Sequence, residues 1–334
     1  MVFFIKVDAI NFKRMNKMEF NNHAVAEKIF SHIIKFRRRC NDIQHYTEEE
    51  EEQKLRDNHL PFINHFVKNN EKIIFVLPAF PVKSPNQEKV IGKLPDMAEK
   101  LSLEFLNSLC EDIKAYYKPG AEIIICSDGH VFADLIKVTD LNVNNYQLHL
   151  EKMISEIGAK NLSTFNLSMV SFFKSEKTDY DGLREELIKG FSQSEDEIKT
   201  QLLESESGLE LYRSITRFLF EDSYHPDYQG SKSALQKNAK SRACGVIQRS
   251  WAWGNLLCKI FPDAVRLSIH PQSVHSPKLG IHMLPTKDDW LTPWHGVSIK
   301  VNGKFVLMKR KQAEEIAAQL VYNDGQPSHF VAHH

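Results

Sequence analysis

The sequence predicts an α/β protein: a Rossmann-like, largely parallel sheet flanked by helices, with a helical insertion and a C-terminal strand-rich portion. Three observations carry this. The buried-strand run IIFVL (Ile73 to Leu77) is followed by a Pro-punctuated loop, an amphipathic helix and a second buried strand, the order of a right-handed crossover. From about Asp179 to Phe261 the apolar residues keep helical spacing. After Pro262 the runs VRLSI, GIHML, VSIKV and KFVLMKR read as strands, the last two joined at Asn302-Gly303, a hairpin signal.

The elements follow in order. Val25, Ile29, Ile33 and Phe36 repeat at helical spacing, and Lys35, Arg37, Arg38 and Arg39 load that helix's last turn with cations that suit its dipole. The acidic run Glu48 to Glu52 reads as an exposed linker or a helix start, so residues 1–70 are expected to form an N-terminal helical segment with an acidic linker. The Rossmann-like core is placed at 71–178. Its first strand stops at Pro78, and Pro95-Asp96 suits the first turn of a helix whose stripe is Ala98, Leu101, Phe105, Leu109 and Ile113. A second strand, Ile123 to Cys126, ends at Ser127-Asp128-Gly129; a helix from about Asn145 to Ile157 and a strand from Thr164 to Val170 extend the sheet. Residues 179–262 are mostly helical, the run Ala239 to Phe261 being interrupted only at Gly245 and Gly254. Residues 263–325 supply further strands and a helix, Gln312 to Leu320, expected to complete the active site ahead of a polar tail.

Composition excludes several classes of function. The 43 basic and 43 acidic residues cancel, so no strong field gathers nucleic acid or an anionic membrane. No apolar run approaches the roughly 20 residues that cross a bilayer. The opening MVFFIKVDAI lacks a basic start and a cleavage site, so the expected location is cytoplasmic. The five cysteines (Cys40, Cys110, Cys126, Cys244, Cys258) form no CxxC pair and are odd in number, which argues against a disulfide framework or a zinc ribbon; they read as small buried hydrophobes. Neither GxGxxG nor a Walker lysine motif follows any strand, so a nucleotide has no support. No metal site is expected.

The polar residues with chemical potential fall just past strand ends, where open α/β sheets place ligands. Asp128 follows a buried strand, and Gly129 lets the backbone turn; the pair is read either as a crevice carboxylate or as a turn capping the next helix. His130 is a candidate proton carrier, and Asp134 either orients it or meets a substrate hydroxyl. Lys83 and Ser84, in a loop held by prolines, suit a phosphate or carboxylate. Arg217, Arg249 and Arg266 lie among Phe, Leu, Trp and Ile, so each is expected to meet an anionic ligand or a partner such as Glu221, Asp222 or Asp263. His270 and His295 sit beside prolines and titrate near neutrality, as proton shuttles require. Trp251, Trp253, Trp290 and Trp294 read equally well as packing residues.

Taken together, SDGHVFADL, FPVKSPN, VRLSIHPQ and LTPWHGV resemble the isocyanide (isonitrile) synthase family of pyoverdine/dityrosine biosynthesis type. The resemblance spans about residues 80–310. It implies conversion of the amine of an aromatic amino acid, tyrosine or tryptophan, to an isocyanide, with C2 of ribulose 5-phosphate as the carbon source and no metal or organic cofactor. It also implies a downstream iron/2-oxoglutarate oxygenase as a pathway neighbour. Under it, Asp128, His130, His270 and His295 are the catalytic candidates, and Lys83, Ser84, Asp134, Arg217, Arg249 and Arg266 the substrate-binding ones. Two other classes stay open: a non-haem iron oxygenase, from the H-x-D spacing of His225 and Asp227, and a noncatalytic binder of an anionic small molecule.

Overall fold

The structure, a computed structural model, describes residues 21–39, 46–173, 179–285 and 291–332. Cys40, Trp290 and the closing His333-His334 therefore lie outside the described residues. Helix α1 (21–34) buries Ile29, Phe30 and Ile33. The acidic run after it is a helix start: Thr47 and Glu50 form a capping box that opens α2 (Glu48–Asn69). The basic cluster meets this acidic end, with Arg37 and Arg39 each 3.0 Å from a carboxylate oxygen of Glu51 and Glu48.

Strands β1 (Ile73–Leu77), β2 (Ala121–Ser127), β3 (Leu162–Asn166), β4 (Val265–Ser268) and β5 (Leu279–Gly280) make one sheet in the order β3-β2-β1-β4-β5, every pair parallel. Strand alternation divides its side chains between two cores. Phe75, Leu77, Ile123, Ile125, Val265 and Leu267 pack with α1, α2, α3 (Met97–Lys114) and α5 (Asp140–Glu156). Val76 and Cys126 face the other way, toward α6 (Tyr180–Phe191) and α9 (Lys232–Ile260), meeting Leu187, Ala252, Trp253 and Leu256. The short α4 (Gly129–Phe132) follows β2, and α7 (Glu195–Glu204) and α8 (Glu206–Ser223) complete the helical insertion.

A second, mixed sheet in the order β7-β6-β9-β8 closes the chain: β6 (Val297–Val301), β7 (Lys304–Met308), β8 (Gln319–Asn323) and β9 (Gln326–Val331), around α10 (Arg310–Glu315). The fold class is the expected α/β one, with strands β4 and β5 of the C-terminal segment inserted into the first sheet. Among the described residues no helix is long and apolar enough to cross a membrane.

Several boundaries differ from the sequence reading. Helix α5 begins at Asp140, because the Thr139 side chain accepts from the Asn142 backbone and caps it. Strand β3 ends at Asn166, whose side chain accepts from Ser168 N and starts a 3₁₀ turn, Leu167–Met169. Of GIHML only Gly280 is in a named strand; Ile281 instead bridges Arg37. The closing helix stops at Glu315 because Ala317 turns left-handed (φ 56°), and the expected tail is the hairpin β8–β9, turned at Asp324-Gly325 with φ 49° and 78°.

Candidate active site

In this strand order the chain departs to opposite sides from β1, so the crevice lies outside the carboxyl ends of β1 and its neighbours β2 and β4. The loop after β1 is tightly held. Phe80 takes a left-handed conformation (φ 55°), and its carbonyl accepts from Ser127 Oγ at 2.8 Å. A Cβ at residue 129 would overlap the Pro81 carbonyl, so only glycine lets the turn after β2 press against this loop.

Lys83 is fully buried here. Its Nζ lies 2.7 Å from Asp96, 2.8 Å from Glu99 and 3.1 Å from the Pro293 carbonyl, which uses all three donors. Burial alone would lower its pKa; the two carboxylates hold it above the ordinary value. Ser84 donates its backbone N–H to the Trp294 carbonyl at 2.9 Å, and its hydroxyl accepts from Asn86 N. Lys83 and Ser84 thus clamp the 3₁₀ turn Pro293–His295 onto the β1 loop, and Trp294 packs 5.2 Å from the Phe80 ring.

Asp128 stands at the N-cap of α4 but makes no capping hydrogen bond, so the turn-capping alternative does not apply. Its carboxyl is pushed up to about 7 by burial, and it has no side-chain partner among the described residues. The residue keeps partial contact with solvent at the carboxyl end of β2. A carboxyl in that state gains and loses a proton near neutral pH.

His270 lies beyond β4, two strand spacings or about 10 Å across the sheet from the end of β2. The residue as a whole is exposed, while its imidazole is packed round by protein. Burial first, and then Arg38, Lys278 and His295, lower its pKa to about 4. The imidazole is neutral at pH 7, and its ring nitrogens have no partner among the described residues.

His295 is held on both sides: Nδ1 lies 2.9 Å from Thr292 Oγ1 and Nε2 3.4 Å from Asp222 Oδ2. The other Asp222 oxygen takes the Lys89 ammonium. Burial would raise the Asp222 pKa, but His295 and Lys89 outweigh it and bring it to about 2. Asp222 was legible only as a partner for arginine. Its signal was its place on the buried stripe of α8, three residues after Leu219.

The other candidates are committed elsewhere. His130 is buried, its ring nitrogens 2.8 Å from Asp140 and 2.9 Å from Asn144, its ring stacked 3.5 Å from Tyr180. Burial lowers its pKa against the pull of Asp140, and Arg184 ties Asp140, Asp181 and the His130 carbonyl together. Asp134 receives a bidentate pair from Arg249 at 2.5 and 2.9 Å, and Arg249 also reaches the Val131 carbonyl. Arg217 is exposed on α8, paired with Glu221 one turn on at 2.9 Å. Arg266 alone of the three arginines has no carboxylate partner among the described residues. Asp128 and His270 therefore stand at the sheet's open end with side-chain atoms that have no partner among the described residues, Arg266 lies within β4 on the face toward α9, and His130, Asp134, Arg249 and Lys83 serve the frame.

The H-x-D pair of the oxygenase alternative lies in the turn between α8 and α9, His225 and the exposed Asp227 3.9 Å apart. Among the described residues no three metal-ligating side chains gather there or elsewhere.

Known proteins share this architecture. The profile of the family described as "Pyoverdine/dityrosine biosynthesis protein" matches residues 63–321. An L-tyrosine isonitrile synthase of Xenorhabdus nematophila is 56% identical over 312 residues, 93% of each chain. One of Pseudomonas aeruginosa is 51% identical over 314 residues, 92% of this chain and 96% of that one. An L-tryptophan isonitrile synthase of Fischerella ambigua, AmbI1, is 41% identical over 309 residues, 92% of this chain and 95% of that one. The crystal structure of PvcA from Pseudomonas aeruginosa superposes with a TM-score of 0.89 at 50% identity, covering 92% of this chain and all of that one. With the family profile matching most of its length and the fold shared, the chain belongs to the pyoverdine/dityrosine biosynthesis family of isocyanide synthases.

Proposed function

We propose that this protein is an isocyanide synthase that converts the amine of L-tyrosine to an isocyanide, drawing the added carbon from C2 of ribulose 5-phosphate. One observation carries the reading: the two relatives at 56% and 51% identity, matched over more than nine-tenths of both chains, are L-tyrosine isonitrile synthases. Tryptophan, the substrate named for the relative at 41%, is the second choice.

The chemistry asks for what the crevice offers. A neutral amine attacks the C2 ketone, water leaves as the imine forms, and both carbon–carbon bonds at C2 must then break. Each stage needs a proton moved to or from a positioned atom and a developing oxyanion stabilised. Asp128, with a carboxyl that titrates near 7, takes the amine's proton and returns it to the departing oxygen. His270, whose pKa falls to about 4 and not near neutrality as its sequence setting predicts, stays neutral at working pH and is the second candidate, as a weak base. His295, its two ring nitrogens held by Thr292 and Asp222, is the third candidate. No metal or organic cofactor takes part in this scheme, and the product is passed to an oxygenase of the iron/2-oxoglutarate class in the cytoplasm.

Incubation with ribulose 5-phosphate labelled at C2 and each aromatic amino acid, without added metal, tests this directly. The expected product is the isocyanide of tyrosine carrying the label in its terminal carbon. Product formed without the sugar phosphate, product with the label elsewhere, or activity abolished by a chelator would overturn the scheme.

A further inference from the structure

We propose that Arg266 and Lys278 form one anion seat on the α9-facing side of the sheet, which takes the phosphate monoester of the phosphosugar co-substrate. The inference rests on the proposed function and adds where the sugar is gripped.

The register makes the pair. Strands β4 and β5 run parallel with Leu267 opposite Leu279 and Ser268 opposite Gly280, so Arg266 and Lys278 are the preceding cross-strand neighbours. Strand neighbours lie about 4.8 Å apart and point to the same face. That face is set by alternation: Val265 and Leu267 enter the core beside α3, which turns Arg266 toward α9. Two cations side by side repel, and both are half-buried. The Lys278 ammonium shows the strain, its pKa lowered by burial and then by Arg266.

What distinguishes this pair is the lack of a counter-charge among the described residues. Elsewhere Arg184, Arg249, Arg37, Lys83 and Lys89 each meet a carboxylate. Among the described residues neither Arg266 nor Lys278 does. A half-buried charge without a partner is costly, and a pair of like charges more so, unless an anion completes the site. Helix α9 borders the pair: Gly254 faces the guanidinium, Arg266 Nη2 lying 3.6 Å from where a Cβ at residue 254 would be, so no bulky side chain of the helix covers it at that point.

The seat opens into the crevice. Ser268 and His270 continue the Arg266 side of β4 past its carboxyl end, and the groups that lower the His270 pKa besides burial, Arg38, Lys278 and His295, are basic side chains, with no carboxylate among them in the described residues. An arginine fork beside a lysine point charge suits a dianionic phosphate, leaving the sugar carbons to extend toward His270 and Asp128.

Steady-state turnover of tyrosine with ribulose 5-phosphate tests the seat in Lys278→Ala and Arg266→Gln. The expected result is a rise of about ten- to a hundredfold in KM for the sugar phosphate in each, with KM for tyrosine unchanged. Inorganic phosphate should compete with the sugar in the unaltered protein and lose that competition in both variants. Melting temperature serves as control: Lys278→Ala relieves a like-charge contact and is expected to melt no lower than the parent. Unchanged sugar KM in both variants, with the parent active on ribulose 5-phosphate, overturns the seat and leaves the function standing. A rise in tyrosine KM instead overturns the phosphate assignment in favour of the amino acid's carboxylate. If the parent does not use ribulose 5-phosphate but calorimetry finds inorganic phosphate binding that both variants lose, the seat stands and the carbon source falls.

Discussion

Helix α9 passes two groups of charges that end in opposite circumstances. Near α4 and α6, Arg249 is locked to Asp134, Arg184 to Asp140 and Asp181, and His130 lies between Asp140 and Asn144. A little further along the helix, at the β4–β5 edge, Arg266 and Lys278 have no carboxylate partner among the described residues, and the groups that shift His270 there, Arg38, Lys278 and His295, are basic. The first group satisfies itself and stabilises the frame. The second is left incomplete by the chain, as groups are when a ligand supplies the missing charge. Asp128 belongs with the second group and Lys83 with the first, although both sit in loops at strand ends.

The sharpest test of this division is Asp128→Asn. Turnover should fall by about 10²–10⁴-fold, the usual contribution of a general acid–base group. Stability should move the other way. With its folded pKa raised to about 7, Asp128 holds a proton in the native state between roughly pH 4 and 7 that the unfolded chain has lost, so its contribution to stability declines as pH rises through that window. The variant lacks this term and should melt higher than the parent at pH 8 and close to it at pH 5. A variant that is slower but no more stable at pH 8 would place Asp128 among the self-satisfied groups.

Lys83→Met probes the opposite side. Removing the ammonium leaves Asp96 and Glu99 buried without their partner, and breaking such a pair typically costs about 3–5 kcal/mol. Urea denaturation should report it. A near-parental midpoint with lost affinity for the sugar phosphate would transfer Lys83 to the ligand-binding group.

Asp222→Asn lies between the two, since this carboxylate is buried by the frame yet holds a crevice histidine. Loss of a charge-assisted contact of this kind is worth about ten- to a hundredfold in turnover, with an altered pH profile as the signature of a positioning role. In the parent, Asp222 has a depressed pKa. Its stabilisation is complete above about pH 4 and lost as pH falls toward 2, an acid limb that the variant should lack.

The smallest effect expected is that of Arg249→Ala. The Asp134 carboxylate is 43% exposed, so the pair should be worth about 1 kcal/mol by thermal melting, with both KM values unchanged. A change in sugar KM here would break the distinction between the arginines.

The fold was legible where periodicity was strong: IIFVL, the Ala98 to Ile113 stripe and the long α9 run stand where the pattern put them. It was illegible where local side chains overrode periodicity, as at Asn166, or where the backbone left the common regions, as at Ala317. The site divides the same way. Motifs located Asp128 just past a strand and His270 and His295 on loops beside prolines, because the polar residues there interrupt apolar runs. They could not separate Arg249 from Arg266, since both are arginines in apolar context and only tertiary structure supplies or withholds a carboxylate. Lys278 carried no local signal, since its significance comes from the register of a two-residue strand.

Trp294 gives this crevice a built-in optical reporter. The indole is 2% exposed, 5.2 Å from the Phe80 ring and 6.3 Å from that of His295, on the turn clamped by Lys83 and Ser84. An indole so shielded emits toward the blue, and its emission shifts when the packing around it opens. A displacement of the Pro293–His295 turn would therefore register in the intrinsic fluorescence without a label.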